Sequence, residues 1–111
     1  MSGHAELAAG RWHELSLAEQ LANVGAEVDR AIRASEAGRA ERFERALERA
    51  LELFDLTARD ERWRGHRRRE ILRLREEFLR PFFDEGVSLD SAAGLRRQFL
   101  YFGLLARRRG R

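Results

Sequence analysis

The densest chemistry in the chain lies in Arg62-Trp63-Arg64-Gly65-His66-Arg67-Arg68-Arg69-Glu70, which sets five arginines and a histidine within nine positions. A guanidinium group is a rigid fork of donors that matches a phosphate or a carboxylate bidentately. An indole among such forks, here Trp63, offers a flat surface on which a base can stack. A second cluster, Arg107, Arg108 and Arg109, stands near the C-terminus. The candidate nucleic-acid contacts are therefore Arg62, Trp63, Arg64, Arg67, Arg68, Arg69, Arg107, Arg108 and Arg109. Three explanations compete for the first cluster. The arginines grip phosphates, they pair with acids of residues 1–61, or they protrude into solvent.

Other chemistry is scarce. The histidines are His4, His13 and His66; none lies four residues from another, none follows a glutamate by three, and there is no cysteine. Zinc and paired-metal bundle sites therefore have no ligand set, and the expectation is no metal, no cofactor and no catalysis. Glu44, Glu48 and Glu52 read as a solvated helix face, and Ser16 as a helix cap. Trp12 and Leu15 read as the cap of a bundle end with His13 exposed or hydrogen-bonded there, or else Trp12 belongs to an intersubunit contact. Asn23 reads as a boundary residue beside the first helix stripe, able to bond across a helix interface.

The chain of 111 residues is long enough for one domain with a real core, expected over residues 11–111 behind a flexible tail at residues 1–10. All 22 basic residues are arginine. Residues 1–61 hold 8 arginines against 13 acids, net −5; residues 62–111 hold 14 against 6, net +8, which leaves the chain at +3. Such a split favours either association between unlike surfaces or an anionic partner for the basic half. The first residues lack a signal-peptide pattern, and the longest near-apolar run, Phe99–Ala106, is far short of the ~20 residues a membrane span needs. The expectation is a soluble cytoplasmic protein with no membrane partner.

Abundant Ala, Leu, Glu and Arg with a single proline point to an all-α chain. Ser16-Leu17-Ala18-Glu19 has capping-box spacing, and Leu17, Leu21, Val24, Val28 and Ile32 then form one stripe that Gly38 ends. A second helix is expected from about Ala40 to Thr57, with Phe43, Leu47, Ala50 and Phe54 on one face. A third carries Ile71, Leu74, Phe78 and Phe82, with Pro81 kinking or ending it and Gly86 closing it. On this helix Arg64, Arg67, Arg68 and Arg75 fall on or beside the apolar arc, and positive charge at a helix start opposes the macrodipole. A fourth helix from Ser88 or Asp90 places Leu95, Phe99, Phe102 and Ala106 inward. Its Leu100, Tyr101 and Leu104 form a second apolar face, the candidate homo-oligomer interface. Short connections favour an antiparallel up-down-up-down four-helix bundle, in which the start of the third helix and the end of the fourth share one rim.

The segments RWHELSLAEQLANVGAEVDRAI, FERALERALELFDLT, RWRG and REILRLREEF resemble a set of small bacterial four-helix-bundle proteins. They are similar to the accessory variability determinant (Avd-like) proteins of diversity-generating retroelements, and in style to bundle proteins encoded in ribosomal intervening sequences. The resemblance spans roughly residues 11–80 and rests on pattern. It implies a basic homo-pentameric barrel that binds a reverse transcriptase and nucleic acid, RNA or DNA. The net-acidic residues 1–61 depart from the broadly basic character of such proteins. Residues and resemblance together give the expectation of a non-catalytic, homo-oligomeric, arginine-rich accessory protein. The alternative is a protein-only scaffold or adaptor whose arginines pair with its own acids.

Overall fold

The structure, a computed structural model, describes residues 10–83 and Phe99. The described residues are all-helical. Three long helices, α1 (Leu17–Glu36), α2 (Ala40–Arg59) and α3 (His66–Phe83), are joined by a tight turn at 37–39 and by a 3-10 turn at Glu61–Trp63. Expectations for the flanking segments lie outside the described residues. They include the tail, the bounds of the fourth helix, Leu100, Tyr101, Leu104, Arg107, Arg108 and Arg109.

α1 begins where the sequence says it should. Ser16 Oγ accepts from the Glu19 amide at 3.1 Å, and Glu19 Oε1 accepts from the Ser16 amide at 2.9 Å. This reciprocal box satisfies two donors that a helix start leaves orphaned, and removing such a cap costs about 1 kcal/mol. The Ser16 amide is also the main reason that the Glu19 carboxyl titrates below its ordinary range. At the other end Gly38 turns the chain with φ +69°, a conformation that glycine reaches without steric cost. The amides of Ala37, Gly38 and Arg39 cover the carbonyls of Arg33, Ser35 and Ala34.

α2 runs two residues past the expected Thr57, because Asp60 joins two elements. Its amide donates to the Thr57 carbonyl, ending α2, while its carboxylate accepts from the Arg62 amide and starts the 3-10 turn. α3 begins only at His66, after Gly65 turns with φ +80°, so Arg62, Trp63 and Arg64 do not continue its seam. At its far end the helix continues through Pro81 to Phe83.

The core follows the expected stripes. Leu21, Val24, Val28, Ala31 and Ile32 of α1 pack with Ala46, Ala50 and Phe54 of α2 and Ile71, Leu74 and Phe78 of α3. Aromatic rings link the elements: Phe43 lies 4.9 Å from Phe82, Phe78 lies 6.0 Å from Phe54, and Phe54 meets Phe99 edge-on at 6.1 Å. Edge-on and tilted pairs of this kind add about 0.5–1.5 kcal/mol beyond the area they bury. Glu44, Glu48 and Glu52 are exposed on α2, as a solvated face requires. No helix among the described residues is long and apolar enough to cross a membrane.

Candidate functional site

The arginine cluster sits on a buried polar network that ties the α2–α3 junction to α1. Gln20 is fully buried at the start of α1. Its Nε2 donates to the Trp12 carbonyl at 2.8 Å and to Asp60 Oδ2 at 3.0 Å, and its Oε1 accepts from Trp63 Nε1 at 2.6 Å. Trp12 Nε1 donates to Thr57 Oγ1 at 3.0 Å, and the Thr57 hydroxyl donates in turn to the Leu53 carbonyl. Both indole N–H groups are thus satisfied inside the protein, as buried tryptophans require. Trp12 caps the end of the core as the sequence suggested, and His13 is exposed beside it. Asn23 bonds the Glu19 carbonyl of its own helix, not a neighbour.

The network divides the predicted arginines by role. Arg62 Nε and Nη2 clasp Asp60, the closest contact being 2.7 Å, and Nη2 also donates to the Leu15 carbonyl. Arg68 Nε reaches back to the Ala58 carbonyl at 2.6 Å. This explains why an arginine stands at the start of α3 against that helix's dipole: its charge lies over the C-terminal carbonyls of α2, the favourable end. Arg64 pairs with Glu61 at 3.5 Å, both side chains more than two-thirds exposed, a contact contributing little. Arg75 Nε lies 3.4 Å from Asp55 on α2 without hydrogen-bond geometry. For Arg62, Arg64 and Arg75 the carboxylate explanation therefore has a named partner.

Trp63 requires a correction. At 8% exposure it is a core residue, because Gln20 draws its N–H inward and two guanidinium groups cover its ring. It offers no free face to a base. Its ring instead supports arginines, Arg62 at 4.4 Å and Arg67 at 5.5 Å from the centroid. Arg67 and Arg69 have no carboxylate partner among the described residues, and both are exposed, Arg67 lying over the indole ring. The rim that remains free is thus smaller than nine residues suggested, but Arg67 is held on a fixed platform.

Gln20, Thr57 and Asp60 were not singled out from sequence. A signal existed for the first: Gln20 lies three residues after Leu17 and four before Val24, a polar side chain on the apolar face. Among the described residues no three His, Asp or Glu side chains gather as metal ligands. No family model, curated protein or solved structure matches the chain.

The electrostatics give a pH prediction. Hydrogen bonds from the Arg62 side chain, with further ones from Gln20 and the Arg62 amide, hold the Asp60 carboxyl well below the ordinary carboxylate range despite its burial. A group depressed in the folded state contributes stability that is fully present above its unfolded pKa of about 4 and fades as pH falls toward the folded value. Urea midpoints should accordingly drop from about pH 5 downward, and Asp60→Asn should flatten that decline while lowering stability at neutral pH. An equally steep acid limb in Asp60→Asn would assign the acid sensitivity to other carboxylates.

Proposed function

We propose that this chain is a non-catalytic helical-bundle protein that binds nucleic acid through arginine–phosphate contacts, with little base specificity. The observation that carries the reading is the pair Arg67 and Arg69, unpaired among the described residues, with Arg67 seated over the buried ring of Trp63. An arginine held in place before binding loses less conformational freedom on meeting a phosphate. The absence of a free stacking face at Trp63 fits contact with the backbone, not with bases. The proposal includes an antiparallel up-down-up-down four-helix bundle. Its support is the pairing of Gln20 with Asp60 and Glu27 with Arg49, then of Phe43 with Phe82 and Asp55 with Arg75: moving up one helix, the partner on the next moves down. Homo-oligomerisation through Leu100, Tyr101 and Leu104, and a role as accessory factor to a reverse transcriptase, belong to the same proposal. The latter rests on the resemblance of residues 11–80.

The test is binding of labelled RNA and DNA of several sequences across a salt series. The expected result is similar affinity for unrelated sequences, falling log-linearly with salt at roughly 0.7–0.9 decades per phosphate neutralised. No binding at low ionic strength overturns the proposal. It would favour the second reading, a protein-only scaffold, which the Arg62–Asp60 and Arg75–Asp55 pairs support.

A further inference from the structure

Six of the eight arginines in the net-acidic residues 1–61 meet in one place. α1 and α2 flank a groove of about 580 Å³ whose lining includes the small residues Ala34, Ala37 and Ala46. Arg30 and Arg33 line it from α1, Arg39 from the turn, and Arg42, Arg45 and Arg49 from α2. The reason is periodicity. Arg42, Arg45 and Arg49 recur at steps of three and four, so they share one flank of α2, and Arg30 and Arg33 repeat the spacing on α1. The glutamates of α2 at 41, 44, 48 and 52 occupy the neighbouring stripe, turned about 100° per residue step away. A net charge over residues 1–61 hides this separation completely.

Three of the groove's six arginines have an ion-pair partner among the described residues and three do not. Glu27 is the one carboxylate among the lining residues; it is nearly buried, 2.7 Å from Arg30 and 3.9 Å from Arg49. Asp29 takes Arg33 at 2.8 Å. Arg39, Arg42 and Arg45 have no ion pair among the described residues and are exposed. At the turn end, Arg39 caps α2 without a side-chain hydrogen bond, so the uncapped amides of a 20-residue helix open beside these guanidinium groups. The opposing carbonyls of the last turn of α1 are already covered by the amides of 37–39.

We infer that the α1–α2 groove is a second anion site, distinct from the rim at the start of α3, and that it carries a stretch of nucleic-acid backbone. The inference takes its ligand from the function proposed above; the anion preference of the groove stands on the arginines themselves. The lining holds arginine, alanine and one glutamate, with no aromatic ring, side-chain amide or large apolar side chain to grip a base or an apolar peptide anchor. Arg39 to Arg49 extends about 15 Å along α2, which admits several consecutive phosphates of a strand rising about 3.4 Å per nucleotide. Guanidinium forks on both walls suit such a row of phosphates.

The full chain should be titrated into a fluorescein-labelled single-stranded DNA of about 20 nucleotides, with Arg42→Gln/Arg45→Gln compared against Arg67→Gln/Arg69→Gln. Neither pair belongs to the core, and unchanged helicity and melting confirm that each variant folds. The groove pair should weaken binding about tenfold at low salt and reduce the salt slope by about 2, one for each phosphate that the variant no longer neutralises. Wild-type binding with unchanged affinity and slope in the groove pair overturns this inference and leaves the proposed function standing. Pyrophosphate, followed through the arginine Nε–H resonances, reads the groove without nucleic acid. Shifts centred on Arg39, Arg42 and Arg45 support an anion site even if the DNA does not bind, and no shift there overturns it. A poly-glutamate peptide that displaces the DNA at equal charge concentration overturns the nucleic-acid identity of the occupant.

Discussion

Gln20→Leu should destabilise the fold by about 3–5 kcal/mol, although leucine is similar in size and better suited to a core. The side chain is fully buried and serves three partners: the Trp12 carbonyl, Asp60 Oδ2 and Trp63 Nε1. Leucine would leave an indole donor, a carbonyl and one oxygen of a carboxylate short of a partner at once. Each buried group deprived of its partner costs about 1–3 kcal/mol. The carboxylate falls toward the low end because Arg62 still clasps it. The loss should also reach the rim, since Trp63 supports Arg67 and would no longer be anchored by its N–H. Urea midpoints measure the first effect, and a red-shifted tryptophan emission in the native baseline measures the second. A loss below about 1 kcal/mol would mean that water or a rearranged Asp60 satisfies these groups, and the network would then not hold the junction. Gln20→Glu is the informative companion. It keeps the shape and the Trp63 contact but sets a second carboxylate against Asp60. It should therefore destabilise most at neutral pH and recover on mild acidification, as the introduced carboxylate takes up a proton.

The apolar framework was legible because each helix carries an uninterrupted stripe with a recognisable start or stop. Ser16 and Glu19 form the expected box, Gly38 takes the left-handed turn, and Val24, Val28, Ile71 and Phe78 are buried where a helical period puts them. The junction at 60–65 was not legible, and the reason is physical. A helical wheel presumes a helix, and the combination of Asp60 as a double cap with Gly65 at positive φ breaks the register before His66. Arg64 was therefore placed on a seam it does not join, and Trp63 was given a free face that Gln20 removes. Arg68 illustrates a different limit. Its unfavourable position on α3 is a favourable one on α2, and only the approach of the two helix ends reveals it. The α1–α2 groove was hidden by averaging: a sum over residues 1–61 cancels charges that two helix flanks keep apart. Counting arginines per flank rather than per segment would have found it.

Gly25 is the one described glycine without room for a side chain, and its prediction is a change of sign. Glycine within a helix is about 1 kcal/mol less favourable than alanine, and Gly25 lies in the middle of α1, so propensity alone makes Gly25→Ala stabilising. The neighbour forbids it. A methyl group at this position would stand 2.6 Å from Phe99 Cβ and 2.8 Å from its ring, closer than carbon atoms approach. Phe99 is 5% exposed and meets Phe54 edge-on, so it has little room to yield. Overpacking a filled core costs about 1–3 kcal/mol, which outweighs the propensity gain and makes Gly25→Ala destabilising in the wild-type chain. Phe99→Ala should by itself cost about 3–5 kcal/mol. In that background the obstruction is gone, and adding Gly25→Ala should restore up to about 1 kcal/mol. The double-mutant cycle measures the coupling directly, with denaturant midpoints for the four chains. If Gly25→Ala stabilises the wild type, or behaves identically in both backgrounds, Phe99 does not dock on α1 at this point. A confirmed sign change would establish that Phe99 is seated against α1 at Gly25, a residue that takes no part in lining the arginine groove.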